Sequence, residues 1–351
     1  MHYSEITPQF TADFFKLTDG AEKICITAHI SPDEDSMASL LGLYRLLSDK
    51  YSNKEIKMIY GAERLPRYES FQNFNQIKFV KDIADYLNDC DLLVCLDGSQ
   101  YHRFTSNPDA LKTFQGKKIC IDHHSSPVDE FDLSAIIPQI SSTTEIIYLA
   151  LSNNRDIDKP LAEIFLVGIL GDTGNFTHLR PDQTETLTTA KKLIETGQIE
   201  IAALQARYRT IPPRLLIVIQ EFLRNTQFYQ VTSWPDFQTS FITREFTEKH
   251  HFTDKEVAEA GAIYIASYIR AITGYSWGFI VTPRAGGQVS ISFRSLPGSV
   301  NVREIAEQMG IGGGHDRAAG GTFREEGKVL ETEECLEKII TWIRANEPTV
   351  G

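Results

Sequence analysis

The chain has 351 residues, 42% of them hydrophobic and 23% charged, with a net charge of -12. At roughly 100–200 residues per domain this is a two-domain globular protein, and its acidity argues against tight, nonspecific binding of long nucleic acid. No apolar run approaches the ~20 residues of a membrane span, and MHYSEITPQFTADFF lacks the pattern of a signal peptide.

In chain order, Lys23 to Ala28 reads as a strand, Ser39 to Leu47 as a helix, and Ile56 to Tyr60 as a strand. Asp91 to Leu96 and Lys117 to Ile121 are two more strands, without the alternation of half-exposed ones. Thr143 to Leu151 and Leu161 to Leu170 have helical spacing. This alternation predicts an α/β domain with a doubly wound, mainly parallel sheet over residues 1–200. Residues 201–235 read as a helical connector. Residues 236–351 read as a smaller α/β domain with a mixed sheet. Its predicted strands are Thr239 to Phe246, Ser276 to Thr282 and Gln288 to Phe293, and its predicted helices Asp254 to Ile272 and Asn301 to Met309. The glycine-rich run GIGGGHDRAAGG, 310–321, precedes a final helix. Five cysteines without CxxC spacing, three of them inside apolar runs, suggest a reducing cytoplasm.

Four apolar elements end at once in Asp or His: AHISPDED (His29, Asp33, Asp35), VCLDGS (Asp97), CIDHH (Asp122, His123, His124) and GILGDTGNF (Asp172). Singly, such an Asp is often a helix cap or turn former. Together, beyond the carboxyl ends of a parallel sheet, they suit a ligand site. Carboxylates mixed with imidazoles suit Mn²⁺ or related divalent ions, with Mg²⁺ or Co²⁺ as alternatives. The glycine-rich run reads either as a plain turn or as an amide nest for an anion, and His315 and Arg317 favour the anion. A dinucleotide fingerprint is the weaker reading, because no ribose-binding acid follows.

HISPDEDSMAS, the isolated Asp97, DHH at 122–124 and GDTGNF at 171–176 resemble, in order and spacing, the four motifs of the DHH phosphoesterase superfamily. Ala38 departs from a glycine common there. SFRS at 292–295 and GGGHDRAAG resemble the DHHA1 domain, with Ile311 interrupting the usual glycine run. The combination is similar to NrnA-type proteins, which degrade very short RNA and dephosphorylate 3'-phosphoadenosine 5'-phosphate. The resemblance implies that His29, Asp33 and Asp97 hold one metal. On the same resemblance Asp35, Asp97, His123 and Asp172 would hold another, with Asp97 bridging, and hydroxide activated there would attack phosphorus. The resemblance further implies that His124 faces the substrate phosphate with Asp122 supporting it, and that Arg294, Ser295, Gly313, Gly314 and His315 bind substrate, with Arg284 and Arg317 as weaker candidates. Short RNA or a mononucleotide is the expected partner, with no long nucleic acid and no membrane; homodimerisation is left open. The alternatives are a linear or cyclic dinucleotide phosphodiesterase, an exopolyphosphatase-like phosphohydrolase, or a catalytically silent nucleotide-binding protein.

Overall fold

The computed structural model describes residues 7–125, 127–152 and 156–348, and divides into two compact units that part between Thr210 and Ile211. The first unit runs α1 (Pro8–Gly20), β1 (Lys23–Ala28), α2 (Glu34–Lys50), β2 (Glu55–Tyr60), β3 (Lys78–Phe79), β4 (Leu92–Leu96), α3 (Pro108–Thr113), β5 (Lys117–Asp122), β6 (Leu133–Ile136), α4 (Thr143–Leu151), α5 (Lys159–Asp172), α6 (Glu185–Gly197) and α7 (Ile201–Tyr208).

All six strands are parallel, in the order β3-β2-β1-β4-β5-β6. The order reverses between β1 and β4, which is where an open α/β sheet leaves a crevice at its carboxyl edge. The central strands are largely apolar because both faces are covered, and every residue of β4 is buried. One face carries a large core shared with α2, α4 and α5, and the other a smaller one that includes Leu87, Tyr101 and Phe104.

Small residues set how closely α2, α4 and α5 approach. A Cβ on Gly168 would fall 2.3 Å from Thr144 Oγ1 and 2.9 Å from the Ala38 methyl. The Ala38 methyl therefore sits opposite a glycine that leaves room for it.

The second unit runs α8 (Pro213–Arg224), β7 (Gln227–Tyr229), β8 (Phe237–Phe241), α9 (Arg244–Lys249), α10 (Asp254–Tyr264), a π-helical turn (Ile265–Ile269), β9 (Trp277–Arg284), β10 (Gln288–Ser295), α11 (Val302–Gln308), β11 (Gly312–His315), β12 (Ala318–Phe323) and α12 (Thr332–Ala345). Its six-stranded sheet, β11-β12-β10-β9-β8-β7, is mixed: β8 and β9 are parallel and the other neighbours antiparallel.

Three differences from the sequence reading have physical causes. The segment 201–235 does not stand apart as a connector. Its first helix, α7, lies in the first unit, while α8 buries Leu215, Val218 and Phe222 in the second unit's core and β7 pairs with β8. The strand expected to reach Phe246 stops at Phe241, because Thr243 caps α9 by accepting from the Phe246 amide. The glycine-rich run is neither a plain turn nor an open nest. It is a hairpin, β11 on β12, whose backbones lie so close that a Cβ on Gly312 would fall 2.1 Å from the Gly320 carbonyl oxygen.

Gly168→Ala is expected to cost about 1–3 kcal/mol through overpacking. Thermal denaturation checks this, and an unchanged melting temperature would mean that the helices can part freely.

Candidate metal centre

Each acid or imidazole is placed by the element it terminates. β1 delivers His29, β4 delivers Asp97, and β5 ends at Asp122 with His123 and His124 following. Asp97 has φ +59°, the left-handed region that Asp tolerates better than most residues. Its amide still donates to the Ile121 carbonyl at 3.0 Å, so the turn away from the sheet begins there. Asp33 is both a cap and a site residue. Oδ1 accepts from the Ser36 amide, closing a capping box on α2, while Oδ2 lies 3.4 Å from His29 Nε2.

Asp35, in the first turn of α2, is buried. Its oxygens accept from the Thr143 and Thr144 amides at 2.8 and 2.9 Å, at the positive end of α4. Asp172 is the last residue of α5, and Gly171 before it lets that end close on α2: a Cβ there would fall 2.2 Å from the Glu34 Cβ.

The side chains converge around Asp97. Its Oδ2 lies 3.2 Å from His29 Nε2, and its Oδ1 lies 3.7 Å from His123 Nε2 and 3.0 Å from the Thr143 hydroxyl that donates to it. His123 Nε2 is also 3.0 Å from Asp172 Oδ2 and 3.9 Å from Asp35 Oδ2. His29, Asp33 and Asp97 form one group whose ligand atoms lie within 4.8 Å of one another, and Asp35, His123 and Asp172 form a second. Asp97, His123 and His124 form a third, so His124 is within ligand range as well. Asp122 Oδ1 accepts from the His124 amide at 3.1 Å and lies 2.7 Å from His124 Nδ1, which fixes the ring.

The electrostatics of the metal-free centre depend on these imidazoles. Burial works to lower the His29 pKa, but hydrogen bonds to Asp33 and Asp97, and their charges, outweigh it and raise it to about 10. His123 is likewise raised to about 10: burial is overcome by the Asp172 hydrogen bond and charge, then by Asp97 and Asp35. Burial, then the charges of Asp97 and Asp172, push Asp35 well above the usual carboxylate range. For Asp122, burial is outweighed by the hydrogen bond and charge of His124, which hold its carboxyl below that range.

The donor set fits a divalent cation. Nε2 of His123 is buried and faces carboxylate oxygens of Asp172, Asp97 and Asp35 at 3.0, 3.7 and 3.9 Å. A nitrogen so placed is served by a proton or by a metal. Mixed carboxylate and imidazole donors are those of Mn²⁺, Fe²⁺, Co²⁺ and Zn²⁺.

In the second unit, pairing registers place His315, Ala318, Arg294, Gly278, Gln238 and Phe228 in one row across the sheet, hence on one face. Arg294 and His315 thus share a face with only Ala318 between them, and Gly313 lies on the same face one row on, paired with Gly320. Gly314 belongs to the strand between them and has φ +145°. Three expected substrate residues fit less well. Ser295 alternates to the covered face and is fully buried, its hydroxyl without a partner. Arg284 lies at the far end of the β9–β10 hairpin, six residues and roughly 20 Å from the Arg294 row. The Arg317 guanidinium donates to the Ser299 and Val300 carbonyls and so serves the loop.

Two family models match the chain: the DHH family N-terminal domain over residues 23–169 and the DHHA1 domain over residues 239–345. The chain belongs to the DHH family. It is 28% identical over 352 residues to a Thermus thermophilus protein named bifunctional oligoribonuclease and PAP phosphatase NrnA, covering 98% of this chain and 95% of that one. A Bacillus subtilis protein of the same name is 27% identical, covering 90% and 95%. Among solved structures, an exopolyphosphatase-related protein from Bacteroides fragilis superposes with TM-score 0.80 at 24% identity, covering 97% of each chain. RecJ of T. thermophilus in complex with Mn²⁺ has TM-score 0.52 at 13% identity, covering 98% of this chain and 55% of that one. These last two likenesses are of fold. The family and the named relatives make this DHH protein a hydrolytic phosphoesterase. No helix among the described residues is long and apolar enough to cross a membrane.

Because His29 and His123 hold protons up to about pH 10 in the metal-free protein, an ion that takes their nitrogens must displace those protons. Loading at pH 7.5 should therefore release protons, and affinity should rise with pH toward 10. Calorimetry of Mn²⁺ binding in buffers of different ionisation enthalpy measures the release; none at all would remove both histidines from the ligand set.

Asp97→Ala should lose both ions, whereas Asp33→Asn, which keeps a capping oxygen, should retain one. Elemental analysis of the two purified variants decides, and two ions retained by Asp97→Ala would refute a bridging role.

Proposed function

We propose that this phosphoesterase acts on short oligoribonucleotides and on 3'-phosphoadenosine 5'-phosphate, using two divalent ions of which Mn²⁺ is the best match. The observation that carries the reading is the Asp97 carboxylate, which presents one oxygen to the His29 side and the other to the His123 side of the cluster. In this reading His29, Asp33 and Asp97 hold one ion, and Asp35, Asp97, His123 and Asp172 the other. Such a pair supplies charge for the phosphoryl oxygens and lowers the pKa of a bound water.

The chain's own groups do the rest. Thr143, by donating to Asp97 Oδ1, keeps that carboxylate from turning. The amides of Thr143 and Thr144 hold Asp35 in the same way. Asp122 fixes His124 through Nδ1, so Nε2 is the nitrogen His124 can present to a phosphoryl or leaving oxygen. Arg294 and His315, on one face of the second sheet, bind the nucleotide's phosphate or its end. The relatives named oligoribonuclease and PAP phosphatase support this substrate class.

A chain of net charge -12 lacks the excess of cations with which proteins follow a long strand. Dinucleotides to about pentanucleotides should therefore outcompete a thirty-mer in kcat/KM under one salt condition. Equal values would contradict the short-substrate reading. A panel with 3'-phosphoadenosine 5'-phosphate, linear dinucleotides and polyphosphate ranks the classes.

Arg294→Lys keeps the charge but loses the planar fork, and should lower kcat/KM on nucleotides by roughly tenfold with metal content unchanged. A small chromogenic phosphodiester should be affected much less. Equal loss on both substrates would make Arg294 a support of the fold instead.

A further inference from the structure

Arg294 is half-buried on β10, and its Nη1 donates to the carbonyl of its neighbour Phe293. Beside it in the row is Gly278, which has no side chain, and beyond that Gln238. The glycine is required there, since a Cβ would fall 2.1 Å from the Gln238 carbonyl oxygen. Gln238 Nε2 donates to the Tyr268 carbonyl at 2.7 Å. That bond pins the π-helical turn onto the same row, one empty position from Arg294. The turn buries Ile265 and Ile269 in a cluster with Ile280, two residues along β9 from Gly278. Arg270 is the first residue after the turn and is also half-buried.

The Arg270 charge acts on the Arg294 guanidinium. After burial, the Arg270 charge is the other cause that lowers the Arg294 pKa. Among the described residues neither meets a carboxylate within salt-bridge distance. Two half-buried cations of like sign destabilise each other unless an anion joins them, and this chain carries 47 acidic residues that could have done so.

We propose that Arg270 is the second arm of an anion clamp with Arg294, and that the clamp is built for a phosphate monoester rather than an internal phosphodiester. This rests on the reading of Arg294 as a phosphate-binding residue. A monoester carries close to two negative charges above its second pKa near ~6 and has three terminal oxygens. It can neutralise both guanidiniums and offer each a pair of acceptors. A diester carries one charge and two free oxygens, and leaves one arm uncompensated. Arg270 would then set which nucleotide ends are accepted.

The test uses the metal-free full-length protein at pH 7.5, so that binding at the metal centre does not intervene. Calorimetry compares adenosine 5'-monophosphate with its monomethyl ester, which has the same base and sugar but the lower charge. The wild type should prefer the monophosphate by about tenfold or more. Arg270→Gln should abolish that preference by weakening the monophosphate, and Arg270→Lys should restore part of it, with melting temperatures reporting that each variant is folded. An unchanged preference in Arg270→Gln, an equal loss for both ligands, or no preference in the wild type would each overturn the clamp. Turnover of a dinucleotide with Mn²⁺ is measured alongside. Turnover without the preference removes the clamp and leaves the hydrolase reading intact; the preference without turnover does the reverse.

Discussion

Carboxylates cannot be gathered in a buried place without positive charge among them. Asp97 and Asp35 are both buried, and Asp33 and Asp172 lie close by. Their repulsion, with the loss of hydration, would otherwise unfold the carboxyl edge of the sheet or leave the acids protonated. In the metal-free protein the imidazoles of His29 and His123 supply the charge by holding their protons to about pH 10. Divalent ions bound there would take over that role, displacing those protons.

The remainder of the first unit reads as the means of holding that cluster. The reversal of strand order between β1 and β4 sets His29 and Asp97 side by side. The N-terminus of α4 turns two amides to Asp35 and a hydroxyl to Asp97. Gly168 and Gly171 let α5 approach closely enough to bring Asp172 to His123. In the second unit, pairing of strands distant in sequence does the comparable work for cations, aligning His315 and Arg294 and setting the turn before Arg270 over the same row.

The acids and imidazoles that cluster at this edge were legible in the sequence because they follow the ends of apolar elements, and an Asp or His in that place is local information. Asp33 shows how two local readings coincide: it is a helix cap through one oxygen and a site residue through the other. Most central strands were legible for the same reason. What stayed hidden depends on pairing. β6 and β7 are short, and β11 is largely glycine, so their identity comes from the neighbouring strand. The glycine run has the composition of an anion nest but folds as a hairpin because β12 offers it a partner. Ser295 follows Arg294 in the motif, yet alternation turns it to the opposite face. Arg270 has no motif, and only the bond from Gln238 to the Tyr268 carbonyl places it near Arg294.

The bridging position of Asp97 is tested most directly by anomalous diffraction from crystals of the Mn²⁺-loaded protein. Two peaks roughly 3.5–4 Å apart, one at each oxygen of Asp97, with His29 on one ion and His123 on the other, are the expected result. A single ion, or two ions with Asp97 bound to only one of them, would contradict it.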